Sequence, residues 1–160
     1  MGTGKSVVGR LLAKRLKRTF LDLDEKIARD ARQSIAQLFA TEGEAGFRLR
    51  ESKTVEWASH LNSHVIATGG GVMLDPANVR LLKASGKLIC LTARPEAILK
   101  RIFASLPSRP LLTGSSPRER IEELLRLRAP FYAQADVAID TSDRPVQDLV
   151  EEILKWVKNE

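Results

Sequence analysis

Met1-Gly2-Thr3-Gly4-Lys5-Ser6 runs directly into a helix-period pattern from Ser6 to Leu16, with Val7, Val8, Leu11, Leu12 and Leu16 as its apolar face. Gly-Lys-Ser at a helix start is the second half of the phosphate-binding pattern Gly-x-x-x-x-Gly-Lys-Ser/Thr. Glycines let backbone N–H groups curl around phosphate oxygens, and the helix N-terminus adds partial positive charge. In such a loop the lysine reaches the β- and γ-phosphates and the hydroxyl ligates Mg²⁺. Lys5 and Ser6 are therefore candidates for those tasks. The first glycine of the pattern would fall two residues before Met1, after the strand that feeds the loop. One strand plus the start of the loop amounts to about ten residues, so the chain is expected to begin about that far inside the pattern.

Outward from this loop, strands alternate with helices. Phe20-Leu21-Asp22-Leu23-Asp24 reads as a short strand ending in carboxylates, followed by helical segments at about 25–31, 35–40 and 43–61. His64-Val65-Ile66-Ala67-Thr68 is β-like and runs into Gly69-Gly70-Gly71. Asp75-Pro76 supplies an N-cap and a first-turn proline for a helix that stops at Gly86. Leu88–Thr92 is a buried-strand candidate, and helices are expected at about 95–104 and 118–129, the second reaching to Tyr132. Between them, 105–117 holds three prolines, a glycine and four serines, which marks a loop. A strand at Val137–Asp140 and a helix at about 146–158 complete the chain. Strands that are apolar on both sides predict a parallel sheet covered by helices on both faces. Ligands then sit beyond the carboxyl ends of the strands.

Composition narrows the class. Hydrophobic residues make 43% and charged residues 29% of 160, the balance of one compact globule rather than a disordered or coiled-coil chain. The longest uncharged stretch, Trp57–Leu74, contains Asn62, two histidines and three glycines and could not cross a bilayer. No secretory signal core is visible at the start. The single cysteine, Cys90, cannot pair within the chain, which fits a reducing compartment. It reads as a small core residue. A formal charge of +6 attracts anions in general and selects none. The basic run Lys14–Arg18 interleaves with Leu16 near a helix end, where cations complement the dipole. No aromatic-rich strand offers a stacking surface for bases.

Several further constellations follow the strands. Asp22 and Asp24, two apart at a strand end, point to one side and suit Mg²⁺ and a substrate hydroxyl, or Asp24 caps the next helix. Arg48 and Glu51, in Phe47-Arg48-x-x-Glu51, form an i,i+3 pair. Such a pair is a modest surface ion pair, or in a cleft a carboxylate grip oriented by the glutamate. Three successive glycines after a strand exceed what a turn needs and let a ligand or helix approach the backbone closely. Arg109, in Arg109-Pro110-Leu111-Leu112, lies in the Pro/Ser/Gly loop, as a lid arginine in phosphoryl transfer would. Arg128-Ala129-Pro130-x-Tyr132 closes the next helix, where the dipole alone would favour a cation.

Taken together and in this order, the Gly-x-Gly-Lys-Ser, Asp-x-Asp, Phe-Arg-x-x-Glu, Gly-Gly-Gly, Arg-Pro-Leu-Leu and Arg-x-Pro-x-Tyr motifs resemble those of the shikimate kinase family, over the whole chain. The resemblance implies an α/β, three-layer, nucleoside-monophosphate-kinase-like P-loop fold, with a parallel sheet of about five strands between helices. It implies one domain over 1–160, with a substrate-binding helical region at about 24–62 and a mobile lid at about 104–118. By the same resemblance Gly2, Thr3, Gly4, Lys5, Ser6 and Val7 hold the ATP phosphates, with Lys5 on the transferred group. Val7 stands where the family often has threonine. Ser6 binds Mg²⁺ directly and Asp22 supports it through water. Asp24 binds the shikimate hydroxyls and accepts the proton of the attacking one. Arg48 and Arg128 engage the substrate carboxylate, with Gly69, Gly70 and Gly71 against the substrate. Arg109 moves in with the lid, Arg101 matches the adenine-stacking arginine, and Arg144 falls in the adenine loop.

The implied reaction is ATP-dependent phosphorylation of the shikimate 3-hydroxyl, in chorismate and aromatic amino-acid biosynthesis. The implied partners are ATP and shikimate, with Mg²⁺ as cofactor, in a cytoplasmic monomer that binds neither nucleic acid nor membrane. Two alternatives stand beside this reading. One is another small-molecule kinase of the same fold, such as a gluconate kinase. The other is a nucleotide- or shikimate-binding homologue whose catalysis is impaired at the phosphate loop.

Overall fold

A computed structural model describes residues 2–103 and 116–159. Helix α1 (Lys5–Leu16) follows the glycine loop, where Gly2 and Gly4 stand at φ 64° and 89°. Glycine enters that left-handed region without steric penalty. The buried face of α1 is Val8, Gly9, Leu12 and Ala13. Val7, which periodicity assigned to the apolar face, points outward and is 60% exposed, because the helix turns its 8/9/12/13 stripe inward instead. A Cβ on Gly9 would stand 2.6 Å from the Phe20 ring, so that glycine sets how closely α1 packs on the first strand.

Strand β1 (Thr19–Asp22) pairs in parallel with β2 (His64–Ala67), with Thr19 opposite His64 and Asp22 opposite Ala67. Strand β3 (Ile89–Thr92) pairs in parallel with β4 (Val137–Asp140). The connections are α2 (Leu23–Ala31), α3 (Ile35–Ser59), a 3-10 turn (Val72–Leu74), α4 (Pro76–Ser85), α5 (Pro95–Ile102) and α6 (Pro117–Tyr132). Helix α7 (Val146–Asn159) ends the fold. The strand expected to reach Asp24 stops at Asp22, because the Asp22 carboxylate accepts the Asp24 N–H at 3.1 Å and caps α2. The helical segments expected at 35–40 and 43–61 are the two arms of α3, bent at Gly43 with φ 69° and ψ −178°.

The parallel strands lie between helices as expected, but the described residues divide them into two two-stranded sheets, β1–β2 and β3–β4, rather than one of five strands. Every residue of β2 and β3 lines one largely apolar cavity of about 600 Å³, together with Val8, Leu12, Ile98, Ile121 and Ile153. No residue of β1 or β4 lines it, so the inner edges of β2 and β3 face each other across it. Their ladders share no hydrogen bond.

Helices unite the halves. Val8 and Leu12 of α1 cluster with Leu149, Val150 and Ile153 of α7, against Val65 of β2, Ile89 and Leu91 of β3 and Ile139 of β4. On the opposite side Leu23, Val55, Val72 and Leu82 pack with Leu21 and Ile66. Ile27, Leu38 and Phe47 hold α2 against both arms of α3. Among the described residues no helix is long and apolar enough to cross a membrane. Cys90 is half-buried in β3, and burial pushes its thiol pKa up, as befits an inert packing residue.

Candidate active site

The carboxyl ends of the strands carry the chemistry. Ser6, in the first turn of α1, donates its hydroxyl to Asp22 Oδ2 at 2.6 Å. The same carboxylate caps α2 through its other oxygen, so one residue fixes two helix starts. Lys5 lines the cavity with Gly69, Gly70 and Arg128. Thr3 is buried, and its carbonyl accepts from Thr141 Oγ1 at 3.0 Å. A hydroxyl beside a carboxylate is a hard oxygen pair, the donor chemistry that Mg²⁺ prefers while it keeps several waters. Ser6 and Asp22 therefore fit that ion.

Asp24, in the first turn of α2, is drawn into a cluster that spacing alone does not reveal. Burial, and then the charge of Asp22, push its carboxyl above the ordinary carboxylate range, with Lys5 and Arg48 opposing. Arg48 of α3 donates Nη1 to Glu51 Oε2 at 2.7 Å and Nη2 to Glu44 at 3.0 Å. The Glu51 side chain is only 2% exposed and its Oε1 has no hydrogen-bond partner. Burial raises the pKa of Glu51, with Arg48 opposing. Of the two readings of the Arg48–Glu51 spacing, the surface ion pair is excluded.

The triple glycine accommodates this cluster. A Cβ on Gly69 would lie 2.5 Å from Glu51 Oε1 and 2.9 Å from Asp24 Oδ1, and one on Gly71 would lie 1.9 Å from Arg48 Nη1. What approaches the backbone at these two glycines is thus the protein's own charged side chains. Gly70 accepts a hydrogen bond from Tyr132 at 2.9 Å through its carbonyl. Arg128, one helical turn before Tyr132, is close enough for its charge to act on Glu51.

The second half-sheet carries the remaining assigned residues. Arg101 of α5 donates to Thr141 Oγ1 at 2.9 Å, to the Thr141 carbonyl at 2.5 Å and to the Gly2 carbonyl at 3.4 Å. It clamps the phosphate loop to the end of β4. Arg144 bonds the Asp140 carbonyl at 3.2 Å and pairs with Glu152 at 2.6 Å. Arg109 lies outside the described residues, as does most of the lid expected at about 104–118. Val7 sits beside Ser6 with its side chain exposed. Lys5, Ser6, Asp22, Asp24, Arg48, Gly69–Gly71 and Arg128 are brought to one cleft, and Arg101 and Arg144 stand at its β4 side.

Sequence reasoning gave no role to Thr141 or Tyr132. Thr141 immediately follows β4, where ligands of such sheets gather, and Tyr132 is four residues after Arg128 on the same helix face. Both signals were available.

Parallel strands between helices, with a glycine loop and a Lys-Ser helix start at the strands' carboxyl ends, define a P-loop fold of the nucleoside-monophosphate-kinase type. A family model described as shikimate kinase matches residues 1–158. The shikimate kinase of Caldanaerobacter subterraneus subsp. tengcongensis is 45% identical over 155 residues, which cover 97% of this chain and 90% of that relative. That of Symbiobacterium thermophilum is 46% identical over 157 residues, with the same coverage. A solved shikimate kinase from Acinetobacter baumannii, in complex with shikimate, matches with a TM-score of 0.95 and 36% identity, covering 99% of this chain and 89% of that one. The chain belongs to the shikimate kinase family.

Proposed function

We propose that this chain transfers the γ-phosphoryl group of ATP to the 3-hydroxyl of shikimate, giving shikimate 3-phosphate and ADP for aromatic amino-acid biosynthesis. The observation that carries the reading is the convergence of Asp24, the Arg48–Glu51 pair and the glycine turn beside Lys5. In this assignment the backbone from Gly2 to Val7 cradles the phosphates, and Lys5 lies on the transferred group. Ser6 and Asp22 would hold Mg²⁺, which when bound neutralises phosphate charge. Arg48, already oriented by Glu51, and Arg128 take the shikimate carboxylate, since a guanidinium fork matches its two oxygens. Asp24 orients the shikimate hydroxyls. Its burial raises its basicity, so it is suited to accept the proton of the attacking hydroxyl.

The transition state of phosphoryl transfer is loose, so positioning and electrostatics supply most of the acceleration. Arg101 and Arg144 border the nucleotide, and Arg109, with the lid at about 104–118, is assigned from its motif alone. We assign one domain over 1–160, with 24–62 as the shikimate side, and a cytoplasmic monomer that binds neither nucleic acid nor membrane.

Coupled measurement of ADP release, with and without shikimate, tests the reading. Turnover is expected only with shikimate, not with gluconate, and is lost in Lys5→Ala. ATP binding without shikimate-dependent turnover would favour the non-catalytic homologue, and turnover with gluconate the other kinase.

A further inference from the structure

We propose that Tyr132 is a positioning residue, whose hydroxyl ties the end of α6 to the glycine turn and so fixes the spacing of Arg128 and Arg48. The inference rests on the assignment of both arginines to the substrate carboxylate. Tyr132 Oη donates to the Gly70 carbonyl at 2.9 Å, a bond between residues 62 apart in sequence. Tyr132 is the last residue of α6, and Arg128 lies one turn earlier on the same face. Both line the cavity.

On the other side of the turn, Gly71 packs so closely on Arg48 that any Cβ there would collide with the guanidinium. The Gly70–Gly71 peptide is therefore held between the tyrosine of one helix and the arginine of another. A peptide unit is planar, so pinning the Gly70 carbonyl also fixes the direction of the Gly71 N–H. The end of α6 needs such a tie. Pro130 lies inside its last turn and has no N–H to give the preceding turn. The core contacts of α6, Ile121 with Ile98 and Ile102 and then Leu124 and Leu125, lie in its first half. Helix α6 also touches the 3-10 turn, and the hydroxyl adds a directional bond that fixes its end against the Gly70 carbonyl.

Tyr132→Phe keeps the ring and removes only the hydroxyl. In the free protein, the amide resonances of Gly69–Gly71 are expected to shift or broaden, with the thermal midpoint nearly unchanged. With substrates, the shikimate KM should rise about two- to tenfold, the worth of one hydrogen bond, while the ATP KM and kcat stay within about twofold. Adding Tyr132→Phe to Arg128→Ala should raise the KM little further, because the hydroxyl acts through the arginine. Unmoved glycine resonances, an unchanged shikimate KM in an active enzyme, or an effect additive with Arg128→Ala would each overturn the proposal. Failure of wild-type protein to turn over shikimate would count against the carboxylate assignment instead, and the substrate-free resonances would still judge the tether.

Discussion

Asp24 and Glu51 are carboxyls whose folded pKa values stand above their ordinary ones, chiefly through burial. The sign of this shift has two consequences. In its proposed role Asp24 must be ionised to accept a proton, so the acid limb of kcat/KM should lie above the normal carboxylate range, with activity falling as pH drops through it. A raised carboxyl pKa also means that the fold holds the proton more tightly than the unfolded chain does. Its contribution to stability is present below the unfolded pKa and lost as pH rises through the folded one. Asp24→Asn should therefore abolish transfer and yet raise the thermal midpoint at neutral pH, as a melting series across pH would show. A lower midpoint would refute the burial argument.

Gly71 gives a second test at this scale. Its φ of −86° suits any residue, so Gly71→Ala should fold normally while its methyl displaces Arg48. The shikimate KM should rise with the ATP KM unchanged, by calorimetry or kinetics, although no charge has been altered. The Arg48–Glu51 partnership was legible from i,i+3 spacing. The reason for three glycines was not, because the atoms that approach them come from α2 and α3, far away in sequence.

At the scale of elements, helix α3 shows how a break can be built into a long helix. Ser34 and Gln37 form a reciprocal capping box at its start. At Gly43 the backbone enters a region open almost only to glycine, while Glu42 and Arg50 meet across the bend through paired contacts of 2.7 Å. The bend lets one arm pack Leu38 on α2 while the other delivers Arg48 and Glu51 to the cleft. Gly43→Ala would meet no steric neighbour but would hold alanine at a positive φ. It should destabilise the fold by about 1–3 kcal/mol, a loss that denaturant titration can read. The break was readable from Gly43 itself. The junction of β1 and α2 was not, because the apolar Leu23 continues the strand pattern and only the Asp22 cap ends it.

For the whole molecule, the order of strands and helices and their parallel pairing followed from apolar periodicity and punctuation by Gly and Pro. The open inner edges of β2 and β3 were legible too, because the phosphate-loop pattern places the feeding strand before Met1 and its expected neighbours are then left unpaired. In a strand, successive N–H groups point to opposite edges. Along β2 and β3, every second amide therefore faces the cavity rather than a ladder. Hydrogen exchange on the 160-residue chain should alternate between protected and unprotected amides along both strands, whereas uniform protection there would contradict the two-sheet arrangement.

The half-sheet ending in Asp22, Asp24 and the glycine turn bears the proposed acceptor side, and the one ending in Thr141 and Arg144 the proposed nucleotide side. The packing of α1 and α7 spans both, beside the Tyr132–Gly70 bond. The separation between donor phosphate and acceptor hydroxyl then depends in part on apolar side chains that touch neither substrate. Sequence drift at those positions offers a way to retune the rate of transfer while leaving affinity for either substrate as it was.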